Sequence, residues 1–552
     1  MTIDLPLPVK LVLFSAPEAF LVKQFFPGQN LRLPITPIFL ALVAINFLAW
    51  AFCKVLIYPF FISPFRYLPE AVPKYPIIAN GPVVMSKPPG NEFLKWIKTI
   101  PNDGLIRFRG FFNVDRIIPT EPRTIADVLV HKSYDFEKPT RLRGFLRRIL
   151  GDGLIIVEGD EHRFQRKNIL PSFSFRHIKE LYPVFWNKAV ALTDAVTAEV
   201  QDDPVIEINH WSTKVTLDII GLAALGRDFN ALKNSDDPLV ATYEEVLEPT
   251  MEKTVFFTLH VLGLEHIVKI LPWRINEVMR DTTTRLKQIC QQLLTDKKAS
   301  AKAESEEQQK DILSVMMRSN LFGDDMLIDQ LLTFLAAGHE TTSSAFTWVC
   351  YLLAVHPTAQ ARLRAEVLAN LSSELASPSS ASAATLTEKL ENGMPYLNAV
   401  CNETTRLYPT VPVTLRDAVR DTDICGQRVP KGTQVLLVPW AINRSPALWG
   451  PDAECFRPER WIDDDDDDEQ GRRRANNHGG ASSNYCQLTF LHGPRSCIGQ
   501  KFAQAELRAL VAAFVSRFEW TLAMDEKDVI PAGVVTTKPM HGMRLRIKRY
   551  PA

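Results

Sequence analysis

Phe490-Leu491-His492-Gly493-Pro494-Arg495-Ser496-Cys497-Ile498-Gly499 is the stretch from which the rest of the chain is read. It sets one cysteine in a short loop framed by Gly493 and Gly499, directly before a helical pattern. That pattern runs from Gln500 to about Phe518, with Leu507, Leu510, Val511, Phe514, Val515 and Phe518 on one side at helical spacing. A thiolate at a helix start lies near unpaired backbone N–H groups and the positive end of the dipole, which favour the anion. Glycines permit a sharp turn and a close backbone approach to a flat ligand. A lone cysteine is ordinarily a small buried hydrophobe. In this setting an anionic sulfur suits a haem iron, where it pushes electron density toward O–O cleavage.

Upstream, a pattern from about Asp324 to Val355 stops at Pro357 and is apolar on most faces, including Leu331, Leu335, Phe346 and Leu353. A helix apolar nearly all round is buried. Its middle, Ala337-Gly338-His339-Glu340-Thr341-Thr342, conflicts with that burial. Glycine costs about 1 kcal/mol against alanine, and a glutamate is expensive in a dry core. A local rule broken inside a strong element marks a site. Thr341 can bond its own helix backbone and open a groove for a diatomic ligand, and Glu340 can relay protons. A helix kink with a chance acid is the plainer alternative.

Two further pairs say little by spacing alone. Glu403 and Arg406 are three apart on a helix through Tyr396–Leu407, and on a surface such a pair is worth only about 0.2–0.5 kcal/mol. His162 and Arg166 are four apart and share a helix face. They read as two donors for a carboxylate or as a solvated basic surface.

Together these stretches resemble the cytochrome P-450 family. Phe490, Gly493, Arg495, Cys497 and Gly499 match all five fixed positions of its haem-binding signature, Phe-x-x-Gly-x-Arg-x-Cys-x-Gly. Ala337–Thr342 resembles its oxygen-activation motif, Glu403-x-x-Arg406 its buried Glu-x-x-Arg pair, and His162…Arg166 its Trp/His-x-x-x-Arg pair. The likeness covers nearly the whole chain after the N-terminal region. It implies a mainly α fold: a large helical domain with small β-sheets. It implies haem b with Cys497 as axial ligand of the iron, and Thr341 and Glu340 as catalytic residues beside Ala337 and Gly338. His162, Arg166, Arg416, His492 and Arg495 are implied as propionate partners, with Phe490 and Gly499 completing the haem loop. Arg460, in Phe456-Arg457-Pro458-Glu459-Arg460-Trp461, is implied as the partner that locks Glu403 and Arg406. Leu154, Ile155, Val413 and Thr414 are implied at the substrate. The family's activity is oxidation of a hydrophobic small molecule by O2, with NADPH electrons arriving through a separate reductase and cytochrome b5 as a second candidate donor. A haem-thiolate isomerase or dehydratase, or a non-catalytic haem sensor, are the rival readings. The intact Glu340–Thr341 pair favours O2 activation.

Composition agrees with an enzyme that has no nucleic-acid partner. Lys+Arg and Asp+Glu are both 63, and no basic stripe stands out. The eight cysteines form no C-x-x-C pair, so neither a zinc site nor a disulfide framework is indicated. No Gly-x-Gly-x-x-Gly follows a strand, so nicotinamide would act through a partner. Between Arg32 and Lys54 lie 21 uncharged residues, about 30 Å of helix. The expected layout is a tail over 1–33, a membrane anchor over 34–56, a proline-rich hinge over 57–90 and the catalytic domain over 91–552. Acidic, basic and polar residues over 462–486 read as an insertion without fixed structure. The resemblance implies a single-pass protein of the endoplasmic reticulum membrane, with a lumenal tail and a cytosolic body. The proline-, serine- and charge-rich insertions suit fungal members of the family that act in secondary metabolism.

Overall fold

The central pattern folds as one helix, Asp324–Val355, in the computed structural model. The structure describes residues 6–25, 34–201, 204–233, 252, 255–256, 259, 268, 273–300, 310–467, 473–533 and 535–550. Asp324 and Asp325 lie in the helix's first turn, against the positive end of its dipole. The helix stops at Val355 because Pro357 forces His356 out of the helical region, with ψ at 72°. It packs on Ile208–Ile220 and on Gln500–Arg517, the helix that follows the cysteine loop. On the second of these Phe346 meets Phe514 edge-on at 5.5 Å, and Phe334 meets Phe173, in the short turn Leu170–Phe173, at the same distance. The post-cysteine helix ends at Arg517, and Phe518 starts a strand.

The chain divides into two compact units, Met85–Leu105 with Ile118–Ala552, and Met1–Val84 with Ile106–Ile117. The larger unit is mainly helical with small antiparallel sheets. Thr414–Ala418 pairs with Gln434–Leu437 and with Phe136–Glu137. Phe518–Leu522 pairs with Arg544–Arg549, which also pairs with Val205–Glu207. From about Arg176 to Asp296 the sequence reads as mostly helical, with breaks expected at Asp202–Pro204, Asp236–Pro238 and Pro272; the last two, and Asp202 and Asp203 of the first, lie outside the described residues. Residues 299–310, charged and poor in apolar side chains, read as an exposed connector; the Arg274–Ser300 helix extends into its first two residues, and 301–309 lie outside the described residues. Within residues 462–486, read from sequence as an insertion without fixed structure, Ile462–Asp467 and Arg473–Ala475 form an antiparallel pair. Its base is pinned, because Asn476 bonds the carbonyls of Trp461 and Arg460.

The smaller unit opens on two helices. Residues read as a tail contain a helix, Leu7–Phe25. The apolar helix, expected over 34–56, starts at Ile35 and runs to Ile62, its last turns wound as a π-helix over Cys53–Ile62. Pro59 lies in that segment, and lacking an N–H it removes one ordinary helix bond. Ser63 N–H then reaches back to the Tyr58 carbonyl at 2.8 Å. Beyond it, the proline-rich stretch follows the turns of its prolines. Asn80 donates to the Ala71 and Val72 carbonyls, and Arg107 pairs with Asp115 at 2.6 Å and Glu70 at 3.3 Å.

Candidate active site

The cysteine loop is held from inside and from behind. Cys497 N–H donates to the Phe490 carbonyl at 2.9 Å, closing the loop on itself. Gly493 has φ +71°, and a Cβ there would overlap the Leu129 carbonyl oxygen. Gly499 differs: its φ is −87° and a Cβ would make only ordinary contacts with Phe173 and Cys497, so protein packing does not demand glycine there. Burial raises the Cys497 pKa, while the Gly499 N–H and the Arg166 guanidinium lower it. Residue Cys497 keeps accessible surface although protein surrounds its thiol.

Behind the loop lies a closed network. Arg406 Nε and Nη2 donate to the two carboxylate oxygens of Glu403, each at 2.8 Å, and both side chains are fully buried. Arg406 also donates to the carbonyls of Asn443 and Ala453 at 2.6 Å. Arg460 Nε lies 3.0 Å from Glu403, and Trp461 Nε1–H donates to the same carboxylate at 3.0 Å. Asn443 carries the network forward: it donates to the Arg406 carbonyl and to Thr489 Oγ1, and accepts from Leu488 N–H. The lock therefore ends one residue before Phe490. The bond from Trp461 has no signal in the sequence motif.

Opposite, the central helix carries its broken stretch. Ala337 is exposed in the middle of a buried helix, with Ala336, Gly338, Glu340 and Thr341 partly so. Thr341 Oγ1 donates to the Ala337 carbonyl at 2.9 Å. Gly338 has a packing reason, since a Cβ would come within 2.5 Å of Ile220. Glu340 accepts from Thr536 at 2.9 Å and lies 3.3 Å from Lys538 Nζ, two partners from the C-terminal turn that sequence reasoning missed. Thr341, Thr405, Thr489, Phe490 and Leu507 line one cavity, which joins this helix to the cysteine loop. Glu506 was also missed: it is fully buried nine residues after Cys497, and neither oxygen has a hydrogen-bond partner in good geometry. Burial pushes its carboxyl well up, and Thr342 counters only in part.

A second cluster gathers cations. Glu158 accepts from Arg495 Nε at 2.7 Å and pairs with Lys138 at 3.3 Å. Arg416 is buried in the same field and forms no ion pair among the described residues; Nη1 donates to Thr414 Oγ1 and the Leu415 carbonyl. Three cations thus lie in the field of one carboxylate, and two of them bond to it. Burial, reinforced by Arg416 and Arg495, holds Lys138 down to about 8, and burial with Arg495 holds Arg416 down to about 10. His162 is buried beside them, held down to about 4 by burial and by Lys138, with no partner for Nδ1. A buried surplus of positive charge is costly unless anions complete it. Two propionates would, so the residues present fit haem. Lys138 and Glu158 carry no motif that could have flagged them.

Three implied residues lie elsewhere. Arg166 spends its guanidinium on Ser496, donating to the carbonyl at 2.7 Å and to Oγ at 3.0 Å, so it braces the cysteine loop. His492 Nε2 bonds the Gln487 carbonyl at 2.9 Å, away from the cation cluster. Leu154 is packed in the core, with its N–H donating to Gln330 Oε1 at 3.1 Å, while the adjacent Ile155 is exposed. Val413 and Thr414 are half-buried at the start of the strand that carries Arg416.

The family model for cytochrome P450 matches residues 111–543. The chain belongs to the cytochrome P450 family. Cytochrome P450 monooxygenase sphH of Aspergillus fumigatus is 40% identical, over 89% of each chain. Cytochrome P450 monooxygenase ALT8 of Alternaria alternata is 36% identical, over 90% of this chain and 92% of its own. Cytochrome P450 monooxygenase FUM15 of Gibberella moniliformis is 35% identical, over 92% and 91%. This cytochrome P450 is accordingly a haem-thiolate monooxygenase.

Proposed function

We propose that this cytochrome P450 inserts one atom of O2 into a hydrophobic small molecule, as a tailoring oxidation in secondary metabolism, and reduces the other atom to water. NADPH supplies the electrons through a separate flavoprotein reductase, with cytochrome b5 as a second donor. The observation that carries the reading is the pairing of a loop thiol, Cys497, with the surplus of buried cations around Glu158. Haem, when bound, supplies the iron at which O2 is activated. Cys497 would hold that iron, and Lys138, His162, Arg416 and Arg495 would hold the propionates. Because Thr341 spends its proton on the Ala337 carbonyl, its oxygen is left as an acceptor toward the groove. Glu340 is the nearby acid, and it delivers protons after turning away from Lys538 and Thr536. Ile155, Val413 and Thr414 face the substrate. The Ile35–Ile62 helix anchors the chain in the endoplasmic reticulum membrane, with the catalytic body in the cytosol. A lipophilic substrate would then reach the site from the bilayer.

The test is the difference spectrum of the reduced, carbon-monoxide-bound protein. Wild type is expected to show a strongly red-shifted Soret band that Cys497→Ala loses, with NADPH consumption coupled to product once reductase and substrate are added. A spectrum typical of histidine ligation in folded wild type would overturn the assignment.

A further inference from the structure

We propose that the N-terminal segment is a two-span helical hairpin. In it, both Leu7–Phe25 and Ile35–Ile62 cross the bilayer, and the chain starts on the same side as the catalytic body. The proposal rests on the membrane anchoring proposed above and changes its topology from one span to two.

The contact between the two helices is built from small and polar side chains. Ser15 and Ala19, four apart on the first helix, are fully covered by the pairing. Small residues at that spacing let two helices approach closely inside a membrane. Asn46, midway along the second helix, donates to Ser15 Oγ at 3.0 Å and to Glu18 Oε2 at 2.7 Å. An asparagine amide and a carboxylate are both costly in hydrocarbon, and here each satisfies the other across the seam. A polar rung of this kind has little use in a tail that stays in water, where each group is already solvated.

The outside of the first helix has the opposite character. Val9, Leu13, Phe14, Phe20, Leu21 and Phe25 are all exposed, Phe14 at 67% and Phe25 at 73%. The charged side chains are Lys10 and Lys23 near the two ends, and Glu18, which is turned to the seam. Lysines at helix ends reach the interface along their apolar stems. A helix lying on a membrane surface needs one broad polar face, and this one spends its central polar groups on its partner. Its 19 residues span about 28 Å, close to the thickness of a hydrocarbon core. The occupant that fits the outer face is therefore lipid, continuous with the lipid around Ile35–Ile62, whose most apolar window has no buried residue.

The experiment places an epitope tag with an Asn-x-Thr glycosylation acceptor at the N-terminus of the full chain, and at the N-terminus of a variant lacking residues 1–25. Both are expressed into sealed microsomes. The expected result is alkaline-carbonate-resistant protein in both cases. The tag on the full chain stays unglycosylated and is digested by added protease, and the tag on the truncated chain becomes glycosylated and protected. Glycosylation of both tags would overturn the hairpin while leaving a one-span anchor. If neither tag is glycosylated and the protein is extracted by carbonate, the anchor reading itself fails. If neither is glycosylated and the protein resists extraction, the second helix does not cross, which also overturns the hairpin.

Discussion

Two buried charge clusters in the catalytic unit use the same residue types and end in opposite states. Around Glu403, every strong group is answered by protein: Arg406, Arg460, Trp461 and the Arg457 N–H all converge on one carboxylate. Asp452 takes the second nitrogen of Arg460 at 3.1 Å. Around Glu158, Lys138, Arg416 and Arg495 lie in the field of one carboxylate, and His162 lacks a partner at Nδ1. The first cluster is complete and acts as a lock. The second keeps a surplus of positive charge, which two propionates would balance. Local charge balance, rather than the presence of arginine or glutamate, separates scaffold from site.

Breaking the lock should have the largest effect. Arg406→Leu leaves Glu403 buried with part of its pairing gone, and thermal unfolding should show a loss of about 3–5 kcal/mol. A loss under 1 kcal/mol would mean the network is not needed for folding.

The pH dependence of the apo-protein sharpens the contrast from the other side. Burial holds Lys138 down to about 8 against an ordinary 10.5, so its charged form destabilises the folded chain. The unfolded chain binds more protons between those values, so apo-protein stability should rise from pH 8 to 10.5, by at most about 3 kcal/mol. Lys138→Met should flatten that rise, and haem loading should shrink it. An unchanged profile in the variant would count against a charged, uncompensated lysine.

Removing a surplus cation should spare the apo fold and weaken the ligand. Arg416→Leu is expected to leave the apo-protein's melting temperature unchanged or higher, while haem affinity falls about 10- to 100-fold, read by haem titration. A variant that unfolds yet binds haem normally would reverse the assignment. The smallest effect belongs to Trp461→Phe, which deletes one donor to Glu403 and should cost about 1 kcal/mol by denaturant titration.

What could be read from sequence was short in range. The cysteine loop, the broken stretch of the central helix and the Glu403–Arg406 pair are each built from residues within one or two turns of each other. Their geometry follows from local backbone, and so does their pattern in the sequence. The mainly helical fold was implied by the family resemblance that these short motifs carry, and the long periodic stretches agree with it. Arg166 and His492, implied as propionate partners, show what a sequence pattern leaves open. Both lie in suggestive positions, and each is turned toward a backbone carbonyl that only packing supplies.

By itself, the sequence determined that a thiol stands in a glycine-framed loop directly before a helix, because that is a contiguous feature. It also determined that an apolar helix precedes the catalytic unit. The tertiary structure decided what surrounds these features. It brought Lys138 and Glu158 to Arg495, more than three hundred residues away, and set Lys538 and Thr536 on Glu340. It buried Glu506 beside Thr342, and it folded the first helix against Asn46. Burial and charge balance belong to neighbours in space, and those neighbours exist only once the chain has closed its long loops.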